Sequence, residues 1–207
     1  MWSEDVILMI LNGVKETLYM TLASTILGYV FGLPMGICLA VSDKDGLKPN
    51  AVLYKILDLL LILVIPLTRL LVGQSYGSSA TIVPLVVAAV PFIARMVESS
   101  AKEVDEGVIE AAKAMGAGNF TIITRVLLVE ARTSLITGAT IAIGTILGYS
   151  AMAGTVGGGG LGDIAIRYGY YRYQSEIMIV TVVLLVILVQ IFQSAGMKAA
   201  SVLDKRK

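Results

Sequence analysis

Long stretches without a charged residue constrain this chain more than any other feature of its sequence. Four such windows, residues 17–42, 70–94, 133–162 and 177–197, hold 26, 25, 30 and 21 residues. A helix needs about 20 apolar residues to cross the hydrocarbon core of a bilayer, so every window is long enough. Because 57% of the residues are hydrophobic and only 15% are charged, the chain is predicted to be a polytopic membrane protein.

A fifth span is predicted between the first two windows, although it is short. Residues 59–68 are uncharged, but ten residues of helix cover only about 15 Å. The wider segment, residues 56–72, contains Asp58, Pro66 and Arg69. Two explanations stay open: the sequence lacks residues here, or the second span crosses only half of the bilayer.

Lysine and arginine are divided unevenly between the two sides that five spans define. One side has Lys44, Lys48, Lys55, Arg95, Lys102, Lys113, Arg125, Arg132, Lys198, Lys205, Arg206 and Lys207, and the other has Lys15, Arg69, Arg167 and Arg172. Cytoplasmic loops carry the excess of these residues. We therefore expect the N-terminus outside, the C-terminus in the cytoplasm, and residues 96–130 as a cytoplasmic loop. An even number of spans would break this partition, which supports the short span.

The cytoplasmic loop contains a pattern typical of two helices joined by a turn. Asp105 can cap the first helix, because its carboxylate can accept hydrogen bonds from the free N–H groups of the first turn. Apolar side chains recur at helical spacing on one predicted face: Val108, Ile109, Ala112 and Met115. Gly116 and Gly118 are expected to end this helix with a positive φ, and Asn119 to cap the next one. The segment is either a plain connector or a helix on which a partner docks.

The stretch EAAKAMGAGNFTIITRVLLVEA resembles the EAA loop of ABC-importer permeases. Glu110, Ala111, Ala112 and Gly116 match that motif, whereas Val129 stands where the family has proline. Two further stretches, PFIARMVE and GYSAMAGTVGGGGLGDIAIRYGY, narrow the resemblance to the permeases of methionine importers. The resemblance covers nearly the whole chain, except that those permeases usually carry additional residues in the short second span.

The resemblance implies an all-α, type I ABC-importer permease fold with five transmembrane helices, forming one transmembrane domain over residues 1–207. It implies a homodimer in the bacterial inner membrane, surrounded by lipid, that moves D- or L-methionine and its derivatives by alternating access. The implied partners are an ATPase subunit dimer and an extracytoplasmic substrate-binding lipoprotein. ATP and Mg²⁺ would be bound by the ATPase, so this chain is expected to be no enzyme and to hold neither a cofactor nor a metal.

In that family the EAA helix couples the permease to the ATPase. The residues expected to do so here are Glu110, Ala111, Ala112, Met115 and Gly116. With a formal net charge of +1, the chain is not expected to bind nucleic acid.

The end of the fourth window is the expected substrate pathway. The residues assigned to it are Tyr149, Ser150 and Met152, since a methionine thioether can contact an apolar thioether substrate. Packing in lipid or in the core is the alternative. Residues 157–162, GGGGLG, are interpreted as a flexible extracellular turn, with a close-packed segment beside the pathway as the alternative. Residues 168–173, YGYYRY, are predicted to form an interfacial aromatic belt.

The competing function is a stand-alone channel or an ion-coupled carrier for small solutes. Such proteins carry ionisable residues within the membrane core, and the four windows contain none. An intramembrane enzyme has the least support, because the chain contains no histidine and a single cysteine. That cysteine, Cys38, lies in an apolar run and is predicted to be buried.

Overall fold

The computed structural model describes residues 4–43, 47, 49–50, 55–56 and 77–204, and in these residues all regular structure is helical. The helices are α1 (Glu4–Ser42), α2 (Ser78–Lys102), α3 (Glu106–Ala114), α4 (Asn119–Thr121), α5 (Leu128–Glu130), α6 (Arg132–Ala153), α7 (Gly160–Ile164) and α8 (Ser175–Leu203). Two π-helical turns, Ile122–Leu127 and Ala165–Tyr170, and a 3-10 turn, Gly154–Val156, lie between them. The predicted all-α class is confirmed.

Four helices, α1, α2, α6 and α8, are long and apolar enough to cross a membrane. They coincide with the four charge-free windows, but their ends differ from those predicted. α2 continues past Arg95 to Lys102, because the buried Glu98 pairs with both residues, at 2.7 Å and 2.9 Å, along the same helix. The first charged residue thus ends the apolar part of α2 but does not end the helix.

α6 differs in the opposite sense, since it ends at Ala153 although its charge-free window runs to Gly162. The glycines that follow adopt positive φ angles, 81° at Gly157 and 79° at Gly159, which do not continue a right-handed helix. The charge-free window is therefore longer than the helix that it contains.

The contact between α1 and α2 depends on three glycines four residues apart, Gly28, Gly32 and Gly36. A Cβ atom on Gly32 would lie 2.8 Å from Ile93 Cγ2, and one on Gly36 would lie 2.6 Å from Val97 Cβ. Only glycine lets the two backbones approach this closely, as in small-residue packing between membrane helices. The repeated G-x-x-x-G spacing in the sequence could have predicted this close contact.

The outer faces of the bundle are apolar and exposed, as expected of surfaces that meet lipid or another subunit. In the most apolar window of α8 only 11% of the residues are buried, compared with 50% in that of α2. Cys38 lies on an exposed face of α1, so the prediction that it is buried is wrong. An apolar run predicts a span but not which face of that span packs inward.

The direction of each span follows from contacts at the two ends of the bundle. At one end, here named the α3 end, Ala40 of α1 and Ala101 of α2 are buried in one cluster. At the other, named the α7 end, Thr17 in the first half of α1 and Thr81 near the start of α2 contact the residues around α7. Both helices therefore run from the α7 end to the α3 end.

α1 and α2 thus run in the same direction, with residues 43–77 between them in the chain. Of the predicted short span, residues 56–72, all but Ile56 lie outside the described residues, so the two explanations for its length both stay open.

Candidate functional site

α3 begins and ends at the residues that the sequence predicts. The Asp105 carboxylate accepts a hydrogen bond from the backbone N–H of Gly107 at 2.7 Å, which caps the helix. At the other end Gly116 has a φ of 79°. Its N–H donates to the Lys113 carbonyl at 2.9 Å, and the Ala117 N–H donates to the Ala112 carbonyl at 3.1 Å. These two bonds form a Schellman motif, which makes the stop well defined.

The glycine that follows has a different role from the one predicted. Gly118 has an extended backbone with a φ of −71° and precedes α4 as its cap residue. Asn119 is the first residue of α4 and not its cap, so that prediction is wrong. The chain then passes through a π-helical turn, Ile122–Leu127, before α6 begins, so the segment after α4 is not a uniform helix.

α3 is attached to the rest of the chain through a narrow contact. Ala112 is only 4% exposed, and Ile109 packs on the cluster formed by Ala40, Ala101 and Leu127. The predicted apolar face was broader than this. Val108 and Met115 lie outside the contact, and Met115 is 82% exposed.

Most of the predicted coupling residues are exposed on α3. Glu110, Ala111, Met115 and Gly116 are exposed, Glu110 on the side of α3 that borders a cavity, whereas Ala112 is buried. Phe120, which the sequence analysis did not single out, is 79% exposed at the start of α4. The sequence signal for Phe120 was an aromatic residue in a polar loop, within the first turn of a helix. Exposed apolar side chains next to exposed charges are typical of a protein interface.

A cavity of about 340 Å³ separates α3 from the ends of α1 and α2. Charged residues from both sides line it: Asp43, Lys102, Glu106, Glu110 and Lys113. Because the cavity lies beside the Ile109 and Ala112 contact, α3 is not packed along its whole length. The helix is held at one line of contact and at its connections to the chain.

The residues just before α3 tie the end of α2 to two other spans. Lys102 Nζ lies 2.5 Å from Asp43 Oδ2, beyond the end of α1, and 2.9 Å from Glu98 Oε1. The next residue, Glu103, accepts a hydrogen bond from the Ser134 hydroxyl at the start of α6. The three spans are thus linked by polar side chains at the α3 end.

The predicted pathway residues lie at the far end of α6, and only two of them share a face. Tyr149 and Met152 are 43% and 69% exposed, and their spacing of three residues places them on the same side of the helix. Ser150 is 1% exposed, and its hydroxyl donates to the Leu147 carbonyl at 2.8 Å. The structure therefore turns Ser150 into the bundle, away from the other two.

The glycine-rich segment after α6 is packed, so its interpretation as a flexible turn is wrong. The Gly160 N–H donates to Glu16 Oε2 at 2.8 Å, and the Leu161 N–H donates to Thr17 Oγ1 at 2.9 Å. The Gly77 N–H of the α2 side donates to the Gly157 carbonyl at 3.2 Å. Side chains of α1 thus cap the first turn of α7 from a distance, because Gly159 has no side chain to do so.

The tyrosine-rich segment ends close to α8 and is strongly exposed. Tyr170 and Tyr171 are 69% and 70% exposed, and the Arg172 guanidinium carbon lies 4.6 Å from the centre of the Tyr168 ring. The interfacial aromatic belt stays a prediction that this exposure favours. In the described part of the chain, no cluster of three or more His, Cys, Asp or Glu side chains could hold a metal ion.

Comparisons with known proteins agree with the resemblance noted in the sequence. A family profile described as a binding-protein-dependent transport system inner membrane component matches residues 28–200. The probable D-methionine transport system permease protein MetI of Vibrio cholerae is 46% identical over 200 residues, covering 91% of this chain and 89% of that protein. The D-methionine transport system permease protein MetI of Escherichia coli K12 is 44% identical over 164 residues, covering 73% and 76% of the two chains.

Solved structures show the same similarity in three dimensions. A chain of the MetNI methionine ABC transporter in an inward-facing conformation superposes with a TM-score of 0.90 at 44% identity, covering 99% of this chain and 100% of that one. A chain of an amino acid ABC transporter crystallised with histidines has a TM-score of 0.72 at 16% identity, which shows a shared fold. The predicted resemblance to methionine-importer permeases is confirmed.

Proposed function

The chain belongs to the family of binding-protein-dependent transport system inner membrane components, and we propose that it is the permease subunit of an ATP-driven methionine importer. The methionine assignment follows the names of its relatives, which print D-methionine. The proposal extends it to the L form and to derivatives of both. The observation that carries the proposal is the attachment of α3. It is fixed to the spans through Ile109 and Ala112, and its remaining surface is exposed.

Such an arrangement suits a helix that transmits force from a partner. Glu110, Ala111, Met115 and Gly116 are available to an ATPase subunit, and Val108 and Phe120 extend the exposed apolar surface. Ala112 has a different role in this proposal, because it is buried within the chain. It lies on the supported side of α3, and a larger side chain there would lift the helix off its support.

We propose that a second copy of the chain covers the exposed face of α6. Ile141, Tyr149 and Met152 lie on that face together with the exposed Gly148, and apolar and small residues are typical of interfaces between membrane helices. Two copies would enclose a pathway between them, with the Met152 thioether and the Tyr149 ring facing methionine. Ser150 is not part of this lining, because its hydroxyl is turned inward.

The α3 end is proposed to face the cytoplasm, where the ATPase subunits bind ATP and Mg²⁺. The larger share of Lys and Arg lies on this side of the predicted topology, as in other inner-membrane proteins. The α7 end then faces outward, towards an extracytoplasmic binding lipoprotein. This chain supplies no hydrolytic chemistry of its own in the proposal.

The competing function is a stand-alone channel or ion-coupled carrier. Ion coupling would require ionisable side chains along the pathway. Among the described residues, the exposed face of α6 that carries Tyr149 and Met152 presents none between Thr133 and Gly162. An exposed, doubly capped helix at the α3 end would also have no task in a channel.

The test is methionine uptake by vesicles that contain the permease and its ATPase. We expect Glu110→Lys to reduce ATP-driven uptake at least about tenfold, because it reverses a charge at the centre of the docking surface. Glu130→Lys makes the same charge change in exposed α5, outside α3, and is expected to retain uptake. Uptake without any ATPase, or full uptake by Glu110→Lys, would favour the channel.

A second pair of variants uses the backbone instead of charge. Gly116→Pro forces φ to about −65° where the structure has +79°, so it should destroy the end of α3 and abolish uptake. Gly118→Pro places the same residue two positions on, where φ is already −71°. We expect that control to keep most of the activity, with equal amounts of both variants in the membrane.

A further inference from the structure

The inference concerns the two residues that end α2, immediately before the loop to α3. Lys102 contacts Asp43 at the end of α1, and Glu103 accepts a hydrogen bond from Ser134 at the start of α6. Neighbouring residues of one helix thus hold two different spans, and one of those spans carries Tyr149 and Met152 at its far end. Neither residue belongs to the EAA motif.

Lys102 is itself held in place from within α2. Its ammonium group lies between Asp43 Oδ2 at 2.5 Å and Glu98 Oε1 at 2.9 Å. Glu98 has a side chain only 5% exposed, and Arg95 Nη1 lies 2.7 Å from its second oxygen. A carboxylate buried between two cations has little freedom to move, so it fixes the direction in which Lys102 reaches towards α1.

The position of this network relative to α3 suggests its purpose. Val104 is buried, and Asp105 already caps α3, so only two residues separate Glu103 from the first residue of that helix. The cavity beside α3 leaves the Ile109 and Ala112 contact as its other support. A displacement of α3 therefore reaches the spans by two routes: through the end of α2, and through the turn Ile122–Leu127 that follows α3 and leads to α6.

We propose that Lys102 and Glu103 form a clamp that divides the movement of α3 between α1 and α6. This rests on the proposed function, since it assigns positioning residues to the same transport cycle. Lys102 makes the arm to α1 and Glu103 the arm to α6. Neither residue touches substrate, and the clamp acts by making three spans move together when α3 is displaced.

The clamp differs from a contact that only stabilises the fold. The Lys102 side chain is 46% exposed and so contributes little to folding, and the buried Glu98 keeps Arg95 as a partner when Lys102 is replaced. Its removal should therefore leave a folded permease that still binds its ATPase. What should be lost is the link between ATP hydrolysis and substrate movement.

The experiment measures the ATP hydrolysed per methionine imported by the complete transporter in proteoliposomes. For Lys102→Met we expect this ratio to rise about three- to tenfold, within the range by which residues between two sites modulate their coupling. The methionine concentration at half-maximal uptake and the thermal unfolding midpoint should stay as in the wild type. Lys102→Arg keeps a cation at this position and should restore the ratio.

Two further variants separate the clamp from general effects. Ser134→Ala opens the arm to α6 and should raise the ratio on its own, and the double variant with Lys102→Met should raise it further than either single change. Lys198→Met removes an exposed cation of α8, on the side assigned to the same end of the bundle, and should leave the ratio unchanged.

The proposal is overturned if Lys102→Met keeps the wild-type ratio of ATP hydrolysed to methionine imported. It is overturned too if Lys102→Met lowers the unfolding midpoint, because a damaged fold would then explain the raised ratio. It is also overturned if Lys102→Arg behaves like Lys102→Met. A wild-type complex that shows no ATP-driven methionine uptake would instead remove the proposed function, and this measurement is made before any variant is compared.

Discussion

The two ends of the bundle are built in different ways. At the α7 end the chain closes on itself: the first turn of α7 is capped by Glu16 and Thr17 of α1, and Leu161 is completely buried. At the α3 end a helix lies over a cavity, touches the spans through Ile109 and Ala112, and leaves most of its side chains exposed.

This difference indicates which end is completed by the chain itself and which end is left for another protein. Backbone groups at the α7 end are satisfied by residues of the same chain, so a change there should damage folding. The surface at the α3 end is not covered by the chain, so shortening an exposed side chain there should damage assembly and leave folding almost unaffected. The following predictions test this contrast, from the largest expected effect on stability to the smallest.

The largest effect on stability is expected when a glycine is replaced by alanine. Its size should depend on the φ of each glycine and on the space around it. Gly160 has a φ of 78°, and a Cβ atom would lie 2.7 Å from Thr17 Oγ1, so Gly160→Ala combines backbone strain with a collision. Gly116→Ala adds the strain alone, about 1–2 kcal/mol, because the space around it is open. Gly118→Ala adds neither.

Thermal unfolding of the purified permeases in detergent should rank the three variants in that order, with Gly160→Ala the least stable. Gly118→Ala should be neutral or slightly more stable than the wild type, as is common for glycines with a permissive φ. Equal midpoints for Gly160→Ala and Gly116→Ala would mean that the packing at the α7 end contributes nothing.

A smaller loss is expected when the distant cap of α7 is removed. Thr17→Val keeps the shape of the side chain but removes the oxygen that accepts the Leu161 N–H, leaving a buried donor unsatisfied at a cost of about 1–3 kcal/mol. Thr137→Val is the matched control, since its hydroxyl only donates to the Thr133 carbonyl in its own helix. A lower unfolding midpoint for the control than for Thr17→Val would contradict the capping role.

The smallest effect on stability is expected at the α3 end. Met115 is 82% exposed, so Met115→Ala should change the free energy of unfolding by less than about 0.5 kcal/mol. The amount of ATPase that co-purifies should nevertheless fall at least about tenfold if Met115 is an anchor of the interface.

Val202→Ala provides the comparison for Met115, because Val202 is 84% exposed and lies near the end of α8. It should change neither the unfolding midpoint nor the co-purified ATPase. Retention of the ATPase by Met115→Ala would show that exposure alone does not mark the docking surface, and would weaken the contrast between the two ends.

Several features were predictable because they depend on local chemistry. Absence of charge located the four described spans, since charged side chains are costly in hydrocarbon. The ends of α3 were also predictable, because Asp105 caps through its own carboxylate and Gly116 adopts a positive φ that other residues avoid. The EAA pattern pointed to the same segment by family resemblance.

Other features were not predictable because they depend on which elements meet. The glycine run before α7 has the composition of a mobile turn, yet Glu16 and Thr17, more than 140 residues earlier in the chain, hold it in place. Ala112 and Met115 both fit one apolar face of α3, but only Ala112 is buried against the rest of the chain. Ser150 and Met152 are two residues apart, and only the packing of α6 shows that they face different ways.

Charge pattern and turn residues by themselves determined that this chain is a helical membrane protein with a capped polar helix between its spans, because these properties follow from solvation and from backbone conformation within a few residues. The tertiary structure decided that one end of the bundle is closed by its own chain and that the other presents an uncovered surface. Burial is a property of neighbours brought from elsewhere in the chain, and local sequence carries little information about them.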